Sequence, residues 1–216
     1  MSEPISPRSF HEAEGVEDWR VLFSGACAHF RTETFTASVA LAAAIGRLAD
    51  AAGRHPNVDL RPSAVTVCLP PEGFGRQRAG DVALARQISA AARELNVPAE
   101  PSAVQAVQIS IDALAIETVM PFWRAVLGYE QVGDEDLLDP QSRGPAVWFQ
   151  QMDAPRPQRN RIHIDISVPH DQAEARIAAA IAAGGRLVSD RNAPAGWLLA
   201  DPEGNEIDVA TWMGRE

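Results

Sequence analysis

The feature that most restricts how this chain can fold is a repeat inside its second half. Gln108-Ile109-Ser110-Ile111-Asp112 alternates polar and apolar residues, and His163-Ile164-Asp165-Ile166-Ser167 alternates in the same phase. Such alternation is the period of a strand with one face buried. Each run leads into a helical pattern that stops at a glycine, Gly128 after FWRAVL and Gly184 after ARIAAAIAA, 20 and 21 residues from the start of the run. Glycine is common just past a helix end because it takes a left-handed backbone freely. Each copy then closes with strands, PAVWFQ up to Gln150 and EIDV around Asp208, so corresponding points lie 55, 56 and 58 residues apart. A strand–helix–strands unit repeated at this period implies two similar modules packed together. Between WLLA and EIDVA, Asp201-Pro202-Glu203-Gly204-Asn205 reads as a tight hairpin.

The first half has no such repeat. Ser9 reads as the cap of a short helix, and Trp19–Phe23 and Ala26–Thr32 as strands about the turn pair Ser24-Gly25. Thr36–Ala52 carries Val39, Leu41, Ile45 and Leu48 near helical spacing and stops at Gly53. Ala64–Leu69 is a β-branched strand. Asp81–Leu95 is a helix with Leu84, Ala85 and Ile88 on one side and Asp81 in its first turn, where a carboxylate suits the dipole. These elements predict an α+β fold: an antiparallel sheet with helices on one face, followed by the paired modules. Pro98 and Pro101 in VPAEPSA interrupt any helix, which places the boundary between domains 1–98 and 99–216.

Charge sharpens that division. Up to residue 100 there are twelve acids against ten arginines; beyond it, seventeen against nine, for a net charge of −10. So negative a chain repels phosphate backbones, which excludes nucleic acid as a partner class. No run reaches 18 consecutive apolar residues, and the N-terminus lacks a basic start before an apolar stretch; the expectation is a cytoplasmic protein without a membrane partner. Cys27 and Cys68 fall in apolar strand-like runs and read as buried reduced thiols. No P-loop, dinucleotide glycine pattern, Cys/His zinc spacing or Gly-x-Ser-x-Gly elbow is present.

In the first domain, Arg54-His55-Pro56-Asn57 directly follows the helix that ends at Gly53. Pro56 biases His55 toward an extended backbone, and an imidazole in a cleft moves protons near neutral pH. The alternative is a loop histidine with no task. Trp19, the run FRTETFTASVALAAAIGRLADAAGRHPNVDLR, VTVCL and GDVALARQIS together resemble the pterin-4a-carbinolamine dehydratases over about residues 9–96. That resemblance implies removal of water from a 4a-hydroxy-tetrahydropterin by histidines acting as acid and base. The family motif reads His-His-Pro, a strand, Thr-His, then a helix starting with Asp. Here the second His is His55, the Pro is Pro56 and the helix Asp is Asp81, while Arg54 replaces the first His and Pro70, Pro71 and Glu72 stand where Thr-His would fall. Arginine stays protonated and cannot act as a general base. The resemblance therefore implies His55, Glu72 and Asp81 as catalytic candidates and Arg54 and Pro56 as substrate-binding ones.

In the second domain, Gln108, Gln150, His163 and Asp208 sit two per repeat on strands. If the modules form one cup they offer an N/O set for a divalent ion; otherwise they are the polar face of half-buried sheets. Trp148 and Trp197 either line a cleft that stacks an aromatic ligand or pack in the core. The phrases FWRAVLGY and LLADPEGNEI, with VWFQ and NRIHIDISV, resemble the vicinal oxygen chelate superfamily (glyoxalase and bleomycin-resistance proteins) over about 104–213. This implies two βαβββ modules, and metal ligands at Gln108, Gln150, His163 and Asp208, although Gln150 stands where Glu is usual. Three functions follow as expectations: a pterin dehydratase, a metal-assisted lyase, isomerase or dioxygenase, and a non-catalytic binder of a pterin-like or small aromatic metabolite. Both families commonly self-associate, which implies a homodimer.

Overall fold

The computed structural model describes residues 4–71, 76–155 and 164–213. The chain divides into two compact units, Met1–Ala106 and Val107–Glu216.

The first unit opens with a two-residue strand β1 (Pro4–Ile5) and a one-turn helix α1 (Pro7–His11). Ser6, not Ser9, caps α1: its hydroxyl accepts the Ser9 N–H at 3.0 Å, and Pro7 fills the first helical position, where no N–H is needed. Strands β2 (Trp19–Leu22) and β3 (Gly25–Arg31) follow. Helix α2 (Phe35–Ala52) is capped by Thr34, whose side chain accepts the Ala37 N–H at 3.1 Å, and ends on Gly53 at φ 59°. Then come β4 (Asn57–Arg61), β5 (Ala64–Leu69), the short β6 (Gln77–Arg78) and α3 (Ala79–Glu94). The sheet runs β2-β3-β5-β4, antiparallel throughout, as the α+β reading expects. Leu41, Ile45 and Ala49 of α2 and Leu84, Ala85 and Ile88 of α3 pack in one core with Trp19, Phe30, Val65 and Val67. Burying each large side chain is worth roughly 1.5–3 kcal/mol. The Trp19 indole N–H finds the Ser89 hydroxyl at 3.1 Å inside that core. By length and composition alone α2 matches a membrane span, yet its Leu41–Ile45–Ala49 stripe already has a place in this core.

Three sequence expectations change here. Asn57–Arg61 is a strand beyond those the pattern predicts; it pairs on one side only and leaves Val58 exposed, so no buried alternation marks it. Cys27 and Cys68 are not separate thiols: they sit directly opposite each other on β3 and β5 and are joined as a disulfide. The proline-bearing segment is not a free linker. β2 pairs only with Gly25–Ala28, and beyond it Pro98 O accepts the Arg31 N–H at 2.9 Å while Glu100 N–H donates to His29 O at 2.8 Å. The first unit therefore extends to Ala106, past the expected boundary at 98.

The second unit is the predicted repeat. Its first copy is β7 (Gln108–Ala113), α4 (Ile116–Leu127), β8 (Glu130–Val132), β9 (Asp136–Leu138) and β10 (Ala146–Gln151). The second is β11 (Ile164–Ser167), α5 (Ala173–Ala182), β12 (Arg186–Asn192), β13 (Gly196–Ala200) and β14 (Glu206–Ala210). The sheets have the same order, β7-β10-β9-β8 and β11-β14-β13-β12, with first and last strands of each copy parallel. Ile111, Phe122, Trp123 and Phe149 from one copy share a core with Ile177, Leu199, Ile207 and Val209 from the other.

The hairpin at Asp201–Asn205 fastens the copies together. Asp201 is fully buried and accepts from the Trp123 indole N–H at 2.9 Å, the Glu203 and Asn205 backbone N–H groups at 2.9 Å each, and the Asn205 side-chain amide at 2.7 Å. The Glu203 carboxylate takes the Leu114 and Ala115 N–H groups at 2.9 and 2.8 Å, just before α4 begins. A carboxylate there satisfies orphan donors and complements the positive end of the helix.

Candidate functional site

In the first unit, Arg54 leaves the end of α2 and reaches the first turn of α3. Its Nε donates to Asp81 Oδ1 at 2.9 Å and its Nη2 to Asp81 Oδ2 at 3.3 Å and to the Pro70 carbonyl. Asp81 is 1% exposed, and its Oδ2 also takes the Arg78 backbone N–H at 3.0 Å. The guanidinium thus ties the end of β5 to the start of α3. His55 lies elsewhere: its side chain is 73% exposed, and its Nε2 stands 3.4 Å from Asp50 Oδ1 on the last turn of α2. His55 and Asp81 are not brought together among the described contacts. Pro56 is half-buried beside His55, and Glu72 lies outside the described residues.

In the second unit, Gln108, Trp148 and Gln150 share a sheet face, because Ile109, Ile111, Val147 and Phe149 turn the other way into the core. Trp148 stands opposite Ser110 and Asp136, and Gln150 opposite Asp112. Burial, with Glu135 nearby as a second cause, raises the Asp136 carboxyl above the usual range. Gln108, however, is opposite Ala146. The register therefore separates Gln108 from Gln150 by four positions, about 13 Å of strand rise, and the two amides do not meet on one ion. Of the two expectations for Trp197, the structure shows packing: it pairs with Val209 and packs against the core.

Asp208 pairs with Leu198 on one side and Asp165 on the other. It lines a cleft of about 360 Å3 with Ser189, Arg191, Asn192, Gly196 and Leu198. None of these companions carries a sequence signal beyond ordinary strand composition. A separate cleft of about 470 Å3 lies along α4 between Met120, Glu117, Asp134 and Glu135; it holds none of the expected site residues.

A divalent ion needs several anionic or imidazole donors at about 2–2.2 Å. His163 lies outside the described residues, and among the described ones no three His, Cys, Asp or Glu side chains cluster. With the two glutamines held apart and Asp208 the single anion of the expected set, the described residues do not fit such an ion.

Residues 3–91 match the family described as pterin 4 alpha carbinolamine dehydratase, and residues 108–210 match the glyoxalase-like domain family. The chain joins a pterin-4a-carbinolamine dehydratase domain to a glyoxalase-like domain. A curated Nocardia farcinica protein carrying the pterin-4-alpha-carbinolamine dehydratase name is 38% identical over 58 residues, 27% of this chain and 61% of that one. A glyoxalase/bleomycin resistance protein/dioxygenase family enzyme from Burkholderia phytofirmans is 17% identical with a TM-score of 0.41, covering 48% of this chain and 95% of that structure. The fosfomycin resistance protein FosX from Mesorhizobium loti is 11% identical with a TM-score of 0.39, covering 49% and 90%. Within the dehydratase domain, the position of the motif's first His is the one occupied by the paired Arg54.

Proposed function

We propose that this chain is a small-molecule-binding protein in which the glyoxalase-like domain takes the ligand, while the dehydratase domain keeps its scaffold without its proton-transfer machinery. The observation that carries this reading is the Arg54–Asp81 pair. Dehydration needs one group that gives a proton and one that takes it. Arginine stays charged, and both oxygens of the buried Asp81 are taken up by Arg54. For the second domain, the support is a polar face bearing Trp148 with Gln108 and Gln150, and a cleft at Asp208. An aromatic ring on a polar face suits a flat ligand.

Decay of 4a-hydroxytetrahydropterin absorbance tests the first half of the proposal. The expected rate equals that of buffer alone; a rate increase that disappears in His55→Ala would overturn it. A thermal-shift screen with pterins, flavins and aromatic acids tests the second half, because a ligand of the folded state raises the melting temperature. No shift with any of them would count against binding. A second reading keeps dehydration with His55 as proton carrier, favoured by Asp50 Oδ1 at 3.4 Å from the exposed imidazole. The same absorbance assay separates the two. A homodimer in the cytoplasm remains part of the proposal, and sedimentation checks the dimer.

A further inference from the structure

The face of the first sheet turned away from α2 and α3 carries the two cysteines of the chain. Ala26, Ala28 and Phe30 of β3 and Val65, Val67 and Leu69 of β5 point into the helix-packed core. Alternation therefore sends Cys27 and Cys68 to the opposite face. They stand directly opposite each other, and their strands are paired on both sides, β3 also with β2 and β5 also with β4. This backbone pairing keeps the two sulfurs together whether or not they are bonded. Over them lies the β2–β3 turn. Gly25 has a φ of 119°, and a Cβ there would collide with the Leu69 carbonyl, so glycine is what lets the turn come this close. That approach places Ser24 Oγ 3.6 Å from Cys27 Sγ and 3.8 Å from Cys68 Sγ.

The surroundings serve both oxidation states. When the sulfurs are bonded, the Ser24 hydroxyl can donate to Cys27 Sγ. When they are thiols, acceptors are already in place: the Ser24 carbonyl 3.3 Å from Cys68 Sγ and the Gly25 carbonyl 3.7 Å from Cys27 Sγ. Access differs between the two, since Cys27 is 5% exposed and Cys68 is half-buried. We propose that Cys27 and Cys68 form a reversible thiol–disulfide site, opened in the folded chain by a small dithiol and closed again by a small disulfide. Such exchange runs through thiolate attack and depends on which sulfur can be reached. The thiolate of the dithiol attacks Cys68 Sγ. A mixed disulfide forms there, the Sγ–Sγ bond breaks, and its electron pair goes to Cys27 Sγ, the sulfur to which Ser24 donates. The second thiol of the reagent, as thiolate, then displaces Cys68 and leaves as a cyclic disulfide. Both cysteines take up a proton, so two electrons and two protons pass from the dithiol to the pair. Closure runs the other way: the Cys68 thiolate attacks the small disulfide, Cys27 displaces the mixed disulfide, and the reagent leaves as two thiols.

Cysteine alkylation counted by mass spectrometry tests this on the full chain in native buffer, with dithiothreitol as the dithiol and oxidised glutathione as the disulfide. The expected result is two alkylated cysteines after dithiothreitol and none after oxidised glutathione, over repeated cycles, with the native circular dichroism spectrum throughout. The opening rate rises in proportion to dithiothreitol, because the attack is on the folded chain. An opening rate independent of dithiothreitol, or opening only in denaturant, marks a fixed cross-link reached by unfolding and overturns the proposal. Alkylation that persists after oxidised glutathione overturns it as well. Single thiols test the order of attack. Cys68 in Cys27→Ala reacts with oxidised glutathione about tenfold faster than Cys27 in Cys68→Ala; equal rates, or a faster Cys27, contradict the step as written. Ser24→Ala slows opening several-fold and Ser24→Thr restores it, at an unchanged melting temperature; equal opening rates in wild type and Ser24→Ala overturn the part given to Ser24.

Discussion

Two arginines, one in each domain, show how the same charge is put to opposite uses. Arg54 is largely buried, with its guanidinium on both oxygens of Asp81 and on the Pro70 carbonyl. Arg191 stands at the rim of a cleft with no carboxylate on it among the described residues. A buried, paired cation holds elements in place, because removing either partner strands the other charge in a poorly solvated setting. An open cation in a cleft has its donors left for something else. The difference teaches where to look for function: at the charge the fold has not used.

The comparison breaks most easily at Asp81. Asp81→Ala leaves the buried Arg54 charge with the Pro70 carbonyl but no carboxylate, removes the acceptor of the Arg78 backbone N–H, and should cost about 3–5 kcal/mol in the dehydratase domain. Hydrogen exchange of the β5 and α3 amides reads this directly. Arg191→Ala should change exchange in the glyoxalase-like domain by less than about 0.5 kcal/mol; equal effects for the two would erase the distinction.

Next in size is the buried acceptor Asp201. Asp201→Ala strands the Trp123 indole N–H and should cost about 1–3 kcal/mol, seen as faster exchange in α4 and β13. Glu203→Ala removes the cap at the start of α4 and should cost about 1 kcal/mol, confined to the first turn of that helix. A larger loss for Glu203→Ala than for Asp201→Ala would show that the cap, not the buried hub, fastens the copies.

The smallest effects are pH-dependent and oppose each other. Burial pushes the Asp139 carboxyl up, but the Gln141, Gly144 and Arg143 N–H groups outweigh it and leave it below the usual range. Its contribution is therefore complete above the ordinary carboxylate range and is lost as pH falls through the lowered value. Asp136 is raised, so its contribution is present at low pH and lost as pH rises through the raised value. Acid titration of the melting temperature should flatten at the low end in Asp139→Asn, whereas Asp136→Asn should be the more stable variant at neutral pH.

Much of the fold was legible because it is written in local pattern. The strand Ala64–Leu69 and the helix ending at Gly53 coincide with the structure, and the repeat at 108 and 163 became two sheets of identical strand order. Edge strands were harder. β4 and β12 pair on one side only, and the adjacent exposed Leu187 and Val188 blur any alternation in β12. The candidate site was less legible still. The sequence names Arg54 and Asp81 but not that they bond to each other, which depends on a helix end meeting a helix start. Gln108 and Gln150 share a face as alternation implies, while their separation along it is a matter of register, which no single strand encodes. Arg191 escaped notice because a bulge, not a motif, turns it into the cleft.

The most direct test follows exchange of the arginine side-chain Nε–H signals by NMR in the full chain. The account predicts a slowly exchanging Arg54 signal, protected by its bond to Asp81, and an Arg191 signal that exchanges as fast as an exposed guanidinium. A fast Arg54 signal beside a protected Arg191 signal would contradict it.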